Sequence, residues 1–197
     1  MVNKNIDQGR RRFLTTAATV VGGVGVVAAA VPFVSNMNPS AKTKAIGAPV
    51  EVDISKLEPG DRMIKKWQGK PVWILRRTGE MLKDISSLND KVSDPASDDS
   101  AQPDYAKNEF RAREDEFLVV IGICTHLGCS PNFVMKEEGD SIAADWKGGF
   151  FCPCHGSRFD LAGRVFKGVP APRNLVIPPY KFISPTRLLI GDDSEAV

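Results

Sequence analysis

Every cysteine and histidine of the chain, four and two respectively, lies in one of two short stretches, CTHLGC at 124–129 and CPCHGS at 152–157. Thiolates and imidazoles are metal ligands, and core residues of these types would not segregate this way. Cys124 with His126, and Cys152 with His155, each offer one thiolate and one imidazole on a tight loop. Two of each satisfy either a tetrahedral zinc or a two-iron cluster with mixed ligation. Gly128, Gly156 and Pro153 suit loops whose backbone approaches a metal closely. Cys129 and Cys154 are left over, one on each stretch. In an oxidising compartment they can pair. Such a bridge closes a loop of about 25 residues, contributes roughly 3–4 kcal/mol on the chain-entropy model, and clamps the two stretches over what they hold.

The elements that must position these stretches read mostly as short strands from Val50 onward. VEVDIS alternates, MIKKW and PVWILRR flank QGK as in a hairpin, and FLVVIGIC is a β-rich run ending on Cys124. GGFFCPCHGS leads into RFDLAGRVF, with a tight turn expected at Ala162-Gly163, and LVIPPYKFISPTRLLIG supplies the closing strands. Strands at this spacing, punctuated by Gly and Pro, predict a mainly β fold, an antiparallel sandwich or barrel. Residues 84–116 break the pattern, being polar and poor in large apolar side chains. They read as a solvated surface excursion, or else as a surface for a partner subunit.

Ahead of this domain, Phe13–Val34 is a run of 22 uncharged residues. As a helix it spans roughly 33 Å, about the hydrocarbon thickness of a bilayer. Lys4, Arg10, Arg11 and Arg12 precede it, and the next charges are Lys42 and Lys44. That bias predicts a cytoplasmic N-terminus with the rest of the chain across the membrane. RRRFL resembles a twin-arginine export signal, with Arg10 and Arg11 as the pair. Cleavage behind Ala28-Ala29-Ala30 is the competing fate, disfavoured because the apolar run continues to Val34. The organisation expected is a basic segment 1–12, an anchor 13–34, a linker or tether 35–49, and a domain 50–197. A chain of 197 residues has room for one such domain and an anchor. With 26 basic against 24 acidic residues, nothing in the charge points to nucleic acid.

CTHLGC and CPCHGS resemble, residue for residue, the two cluster-binding motifs of Rieske iron–sulfur proteins. The resemblance implies an antiparallel β-sandwich with a small cluster-binding subdomain, about 120–175 here, holding one [2Fe–2S] cluster per chain. It implies that Cys124 and Cys152 bind one iron, His126 and His155 bind the other, and Cys129 and Cys154 form a disulfide. Zinc has no need of the staple or of the HGS sequence. The anchor, tether and domain, with GVPAP at 168–172 similar to a proline-rich loop covering the cluster, are arranged as in the Rieske subunits of quinol–cytochrome c reductases. That likeness implies a bacterial inner-membrane subunit with its cluster domain in the periplasm. Its partners would be cytochrome b, a c-type cytochrome and ubiquinol or a related quinol, in a dimeric complex.

By the same likeness His155 is the exposed ligand that hydrogen-bonds quinol and takes its proton as the cluster takes the electron. Histidine ligation makes the cluster easier to reduce, and reduction beside imidazole couples electron uptake to proton uptake. Ser157 matches a family serine that donates to a cluster sulfur. Phe159 stands where many quinol-oxidising relatives have a tyrosine donating to a cysteine sulfur, a departure that suggests a lower potential. The rival readings are the small Rieske subunit of arsenite oxidase, a soluble Rieske ferredoxin without quinone contact, and a purely structural metal protein. Cys129 and Cys154 argue against the ferredoxin; the tether and the 84–116 segment argue for the quinol complex.

Overall fold

The computed structural model describes residues 7–194. The chain divides into two compact units, one ending at Ala45 and one beginning at Ile46.

In the first unit, helix α1 runs Gln8–Asn36 and contains the whole uncharged run. Its 29 residues extend for about 43 Å at 1.5 Å each. Asp7 caps it, the carboxylate accepting from the amides of Gly9 and Arg10 at 3.0 and 3.2 Å. None of its side chains is buried against protein, and it is long and apolar enough to cross a membrane. Lys4, counted in the basic flank, lies outside the described residues. A second helix, α2 (Ala41–Gly47), forms inside the segment expected to be linker. The signal for it is a cap rather than apolar periodicity. Ser40 follows Pro39, its Oγ accepts from the Thr43 amide at 3.2 Å, and its carbonyl accepts from Lys44 at 3.0 Å.

The second unit carries nine strands among the described residues: β1 Val50–Asp53, β2 Arg62–Trp67, β3 Lys70–Arg76, β4 Phe117–Ile121, β5 Asn132–Val134, β6 Gly149–Cys152, β7 Ser157–Phe159, β8 Tyr180–Ser184 and β9 Arg187–Ile190. They form three antiparallel sheets, ordered β1-β9-β8, β2-β3-β4 and β5-β6-β7. The β2–β3 hairpin turns at Gln68-Gly69, both with positive φ (50° and 77°), as the tightest hairpin turns require. β4 is buried along its full length, which explains its continuous apolar run. Trp73 on β3 ties two sheets together, stacking on Phe150 of β6 with centroids 5.0 Å apart. It also lies so close over Gly122 that a Cβ there would sit 2.1 Å from the indole.

Residues 84–116 are not a solvated excursion. The segment opens on helix α3 (Gly79–Ser86), capped by Thr78, and Ile85, Leu88, Val92, Ala106 and Ala112 are all core residues. Met81, Ile85, Leu88 and Val92 fall at helical spacing, so a few apolar residues suffice to bury one face. The rest is held by buried arginines, a device that low apolar content does not exclude. Arg111 donates to the carbonyls of Ala162, Gly163 and Leu175 at 3.2, 3.2 and 2.6 Å. Arg77 donates to those of Asp115 and Phe110, each at 2.8 Å. Burial pushes the Arg111 guanidinium down to about 9, with Asp160 and Asp94 opposing, so it stays cationic at neutral pH. Arg164 pairs with Asp160 at 2.7 Å, both fully buried, and also donates to Asn89 Oδ1 and the Ile85 carbonyl. Through these contacts the segment is fastened to residues 160–175, just behind the second cysteine stretch.

Candidate metal centre

The first stretch follows β4 and leads into β5; the second is the tip of the β6–β7 hairpin, where Cys152 pairs with Ser157 and residues 153–156 make the turn. Both loops are closed by their own backbone. Cys124 N–H donates to the Cys129 carbonyl at 2.7 Å, Gly128 N–H to the Cys124 carbonyl at 3.0 Å, and Gly156 N–H to the Cys152 carbonyl at 2.9 Å. Gly128 and Gly156 have φ of 84° and 76°, conformations that a side chain would strain. Cys129 and Cys154 form a disulfide between the loops, with Cα atoms 6.7 Å apart across a sequence separation of 25.

The four candidate donors fall into two pairs. Cys124 and Cys152 are buried and outside the disulfide, and Cys152 lies near enough to raise the Cys124 thiol. His126 and His155 face each other edge to face, centroids 4.8 Å apart at 85°. His126 Nδ1 is buried with no hydrogen-bond partner. Such an orphan costs about 1–3 kcal/mol unless something binds it. A ligand role supplies that partner. Among the described residues, the group of three donor atoms lying within 4.8 Å of one another is Cys129, Cys152 and Cys154. Two of those sulfurs are spent in the disulfide, so this trio is not a ligand set. A single tetrahedral zinc needs its four ligand atoms about 3.3–3.8 Å apart. A buried thiol pair and a facing imidazole pair suit a cluster with two chemically different ends.

Burial and hydrogen-bond donors act in opposite directions on the Cys124 thiol, and burial is the larger. Burial holds the Cys124 thiol above its ordinary range, the His126 amide opposes this, Cys152 reinforces it, and the Ser157 hydroxyl again opposes it. The two donors to sulfur, the His126 amide and the Ser157 hydroxyl, stabilise the anion a metal would demand. Ser157 Oγ also accepts the Ala171 amide of the GVPAP loop at 3.0 Å, and Thr125 Oγ1 donates to the Arg173 carbonyl at 2.6 Å. The proline-rich segment is thereby bonded to both loops. Sequence reasoning singled out Ser157 and GVPAP but not Thr125 or the Ala171 amide. Those contacts span 48 and 14 residues and leave no local pattern.

His155 is exposed, and Leu127, next to His126 in the chain, is 71% exposed. The cavities beside Met81, Trp146, Tyr105 and Phe182 are lined by no residue of either cysteine stretch. His155 thus stands exposed at the tip of the β6–β7 hairpin.

Sheets of antiparallel strands carrying thiol and imidazole pairs on two stapled loops define a Rieske-type protein. The family described as Rieske [2Fe-2S] domain matches residues 105–181, enclosing both loops. A second family, described as the TAT signal of the ubiquinol–cytochrome c reductase Fe-S subunit, matches residues 2–40. The ubiquinol–cytochrome c reductase iron–sulfur subunit of Allochromatium vinosum is 56% identical over 193 residues, 98% of this chain and 93% of its own. The subunit of the same name from Bradyrhizobium diazoefficiens is 43% identical, over 92% of this chain and 94% of its own. That of Blastochloris viridis is 45% identical, over 92% of each. A chain of a solved hyperthermophilic respiratory Complex III aligns over 88% of this chain and 98% of its own, with 26% identity and a TM-score of 0.47. This chain belongs to the family of ubiquinol–cytochrome c reductase iron–sulfur subunits, [2Fe–2S] proteins of an oxidoreductase complex.

Proposed function

We propose that this chain takes one electron from a quinol held in cytochrome b and passes it to a c-type cytochrome. Cys124 and Cys152 would hold one iron, and His126 and His155 the other. When bound, the [2Fe–2S] cluster supplies a one-electron acceptor that imidazole ligation brings into the range of roughly −150 to +300 mV, against about −400 mV for all-thiolate plant-type clusters. His155 presents its imidazole to the quinol hydroxyl, accepts the hydrogen bond, and receives the proton. Ser157 donates to the Cys124 sulfur and so favours the more negative state. The Cys129–Cys154 bridge keeps both loops in register.

The observation that carries this reading is the exposed His155 at the tip of the β6–β7 hairpin, where a quinol held by another chain can reach its imidazole. The organisation follows: a cytoplasmic segment 1–12, an anchor 13–34, a tether 35–49 that is helical over Ala41–Gly47, and a periplasmic domain 50–197 with its cluster-binding part at about 120–175. The tether lets that domain travel between donor and acceptor. The membrane is the bacterial inner membrane and the assembly a dimeric complex. Affinity purification from detergent-solubilised membranes, followed by mass spectrometry, tests the assignment. Co-purification of cytochrome b and a c-type cytochrome is expected. A molybdenum subunit in their place would establish the arsenite-oxidase reading.

A further inference from the structure

The proline-rich segment 168–172 is pinned at its far end by one fully buried side chain. Asn174 Oδ1 accepts the Val165 amide at 2.8 Å. Its Nδ2 donates to the Asp94 carbonyl, Asp94 Oδ2 and Ser97 Oγ at 3.1, 3.3 and 3.2 Å. The Asn174 backbone amide donates to Ser100 Oγ at 3.3 Å, and Ser100 in turn donates to Asp94 Oδ2 at 2.7 Å. Asp94, Ser97 and Ser100 all come from the polar segment that links α3 to β4. A run of small polar residues in a loop needs no such anchorage for stability alone. Here its hydroxyls and carboxylate converge on a single asparagine.

Between Asn174 and Ala171 the chain is short and stiff. Pro170 and Pro172 fix their own φ angles, and the Arg173 carbonyl is held by Thr125. The Ala171 amide is therefore delivered to one place, 3.0 Å from Ser157 Oγ. A serine hydroxyl has one hydrogen and two lone pairs. With a lone pair taken by the Ala171 amide, its rotation is restricted and the hydrogen is left for the Cys124 sulfur, against which the hydroxyl lies.

We infer that Asn174, latched by Ser100 and Asp94, is a positioning residue for the Ser157 hydroxyl and through it sets the cluster's potential. The inference rests on the reading of Ser157 as a donor to a cluster sulfur. Loosening the latch lets the Ala171 amide drift, frees the hydroxyl to rotate, and weakens its donation to sulfur. The oxidised, less negative cluster is then relatively favoured, and the midpoint potential falls.

The test uses the full-length, cluster-loaded chain in detergent, with the midpoint potential read by redox titration of the cluster's electron paramagnetic resonance signal. Asn174→Ala and the milder Ser100→Ala are each made in the natural background and in Ser157→Ala. A lower potential for both variants in the natural background, with no further fall in Ser157→Ala, supports the relay. Deuterium uptake at the peptide containing Ala171 should rise in the same variants while β3 and β4 stay protected. An unchanged potential in the natural background overturns the relay, and so does an equal fall in both backgrounds. If Ser157→Ala alone leaves the potential where it was, the donor reading of Ser157 fails and the relay with it. If Ser157→Ala lowers it and neither latch variant does, only the relay fails. Should Asn174→Ala not retain a cluster, Ser100→Ala decides alone.

Discussion

At position 159 a phenylalanine ring is fully buried on β7, two residues from Ser157 and on the same face of the hairpin as Cys152. A hydroxyl added there, as in Phe159→Tyr, places a new buried donor on the sheet face that carries Cys152. A net hydrogen bond of about 0.5–1.5 kcal/mol corresponds to roughly 20–65 mV for a one-electron couple. Phe159→Tyr should therefore raise the midpoint potential by tens of millivolts in a redox titration; an unchanged or lowered value would refute the placement. His155 carries the sharper prediction. Without its imidazole the nitrogen pair is halved, so His155→Ala should lose the visible absorption and acid-labile sulfide of the cluster along with quinol oxidation. A coloured, sulfide-bearing variant would exclude His155 as a ligand. At this scale the two motifs and the Cys129–Cys154 bridge were legible in the sequence, because both depend on residue type and spacing within each loop. The sequence did not reveal the orphaned His126 Nδ1 or the Ala171 amide, whose states depend on chain segments far away along the chain.

The elements divide by how local their causes are. Alternation and a Gln-Gly turn made β1, β2 and β3 legible, and an unbroken apolar run marked β4. Strand β5 is three residues long, too short to show a period. Helix α2 announces itself by Ser40 rather than by any apolar face. The segment after α3 was misjudged because its stability comes from buried arginines donating to carbonyls 51 to 64 residues away, and composition does not encode such partners. The buried pair beside it gives a test. Asp160 accepts from Arg164 Nε at 2.7 Å and from the amides of Ala162 and Arg164 at 2.9 and 2.8 Å. Asp160→Ala leaves the guanidinium uncompensated in the core and should cost about 3–5 kcal/mol, measured by denaturant unfolding. A loss below ~1 kcal/mol would mean the site relaxes around water. The staple is a second element-scale device. Cys129→Ala, with Cys154→Ala to avoid a free thiol, removes a constraint of about 3–4 kcal/mol on the chain-entropy model. Its cluster absorption should bleach at lower denaturant concentration than in the parent, and equal midpoints would count against the clamp.

For the whole molecule, charge bias and helix length set the expectations. Arg10 and Arg11 precede an uncharged run that α1 contains entirely, and residues 2–40 match an export-signal family. Replacing both arginines with lysine should hold the chain on the cytoplasmic side. In spheroplasts, external protease should then spare a domain that it cleaves in the parent, and unaltered cleavage would exclude twin-arginine export. Anchor and domain were both visible in the sequence, since each is written in long stretches of composition. The tip at His155 and Leu127 has a further consequence. On the proposed reading this tip docks into a quinol recess of another subunit, so small molecules that block quinol oxidation should bind that recess and bind the isolated chain weakly. Resistance to such compounds should therefore arise mainly in the neighbouring subunit's gene, not in this one.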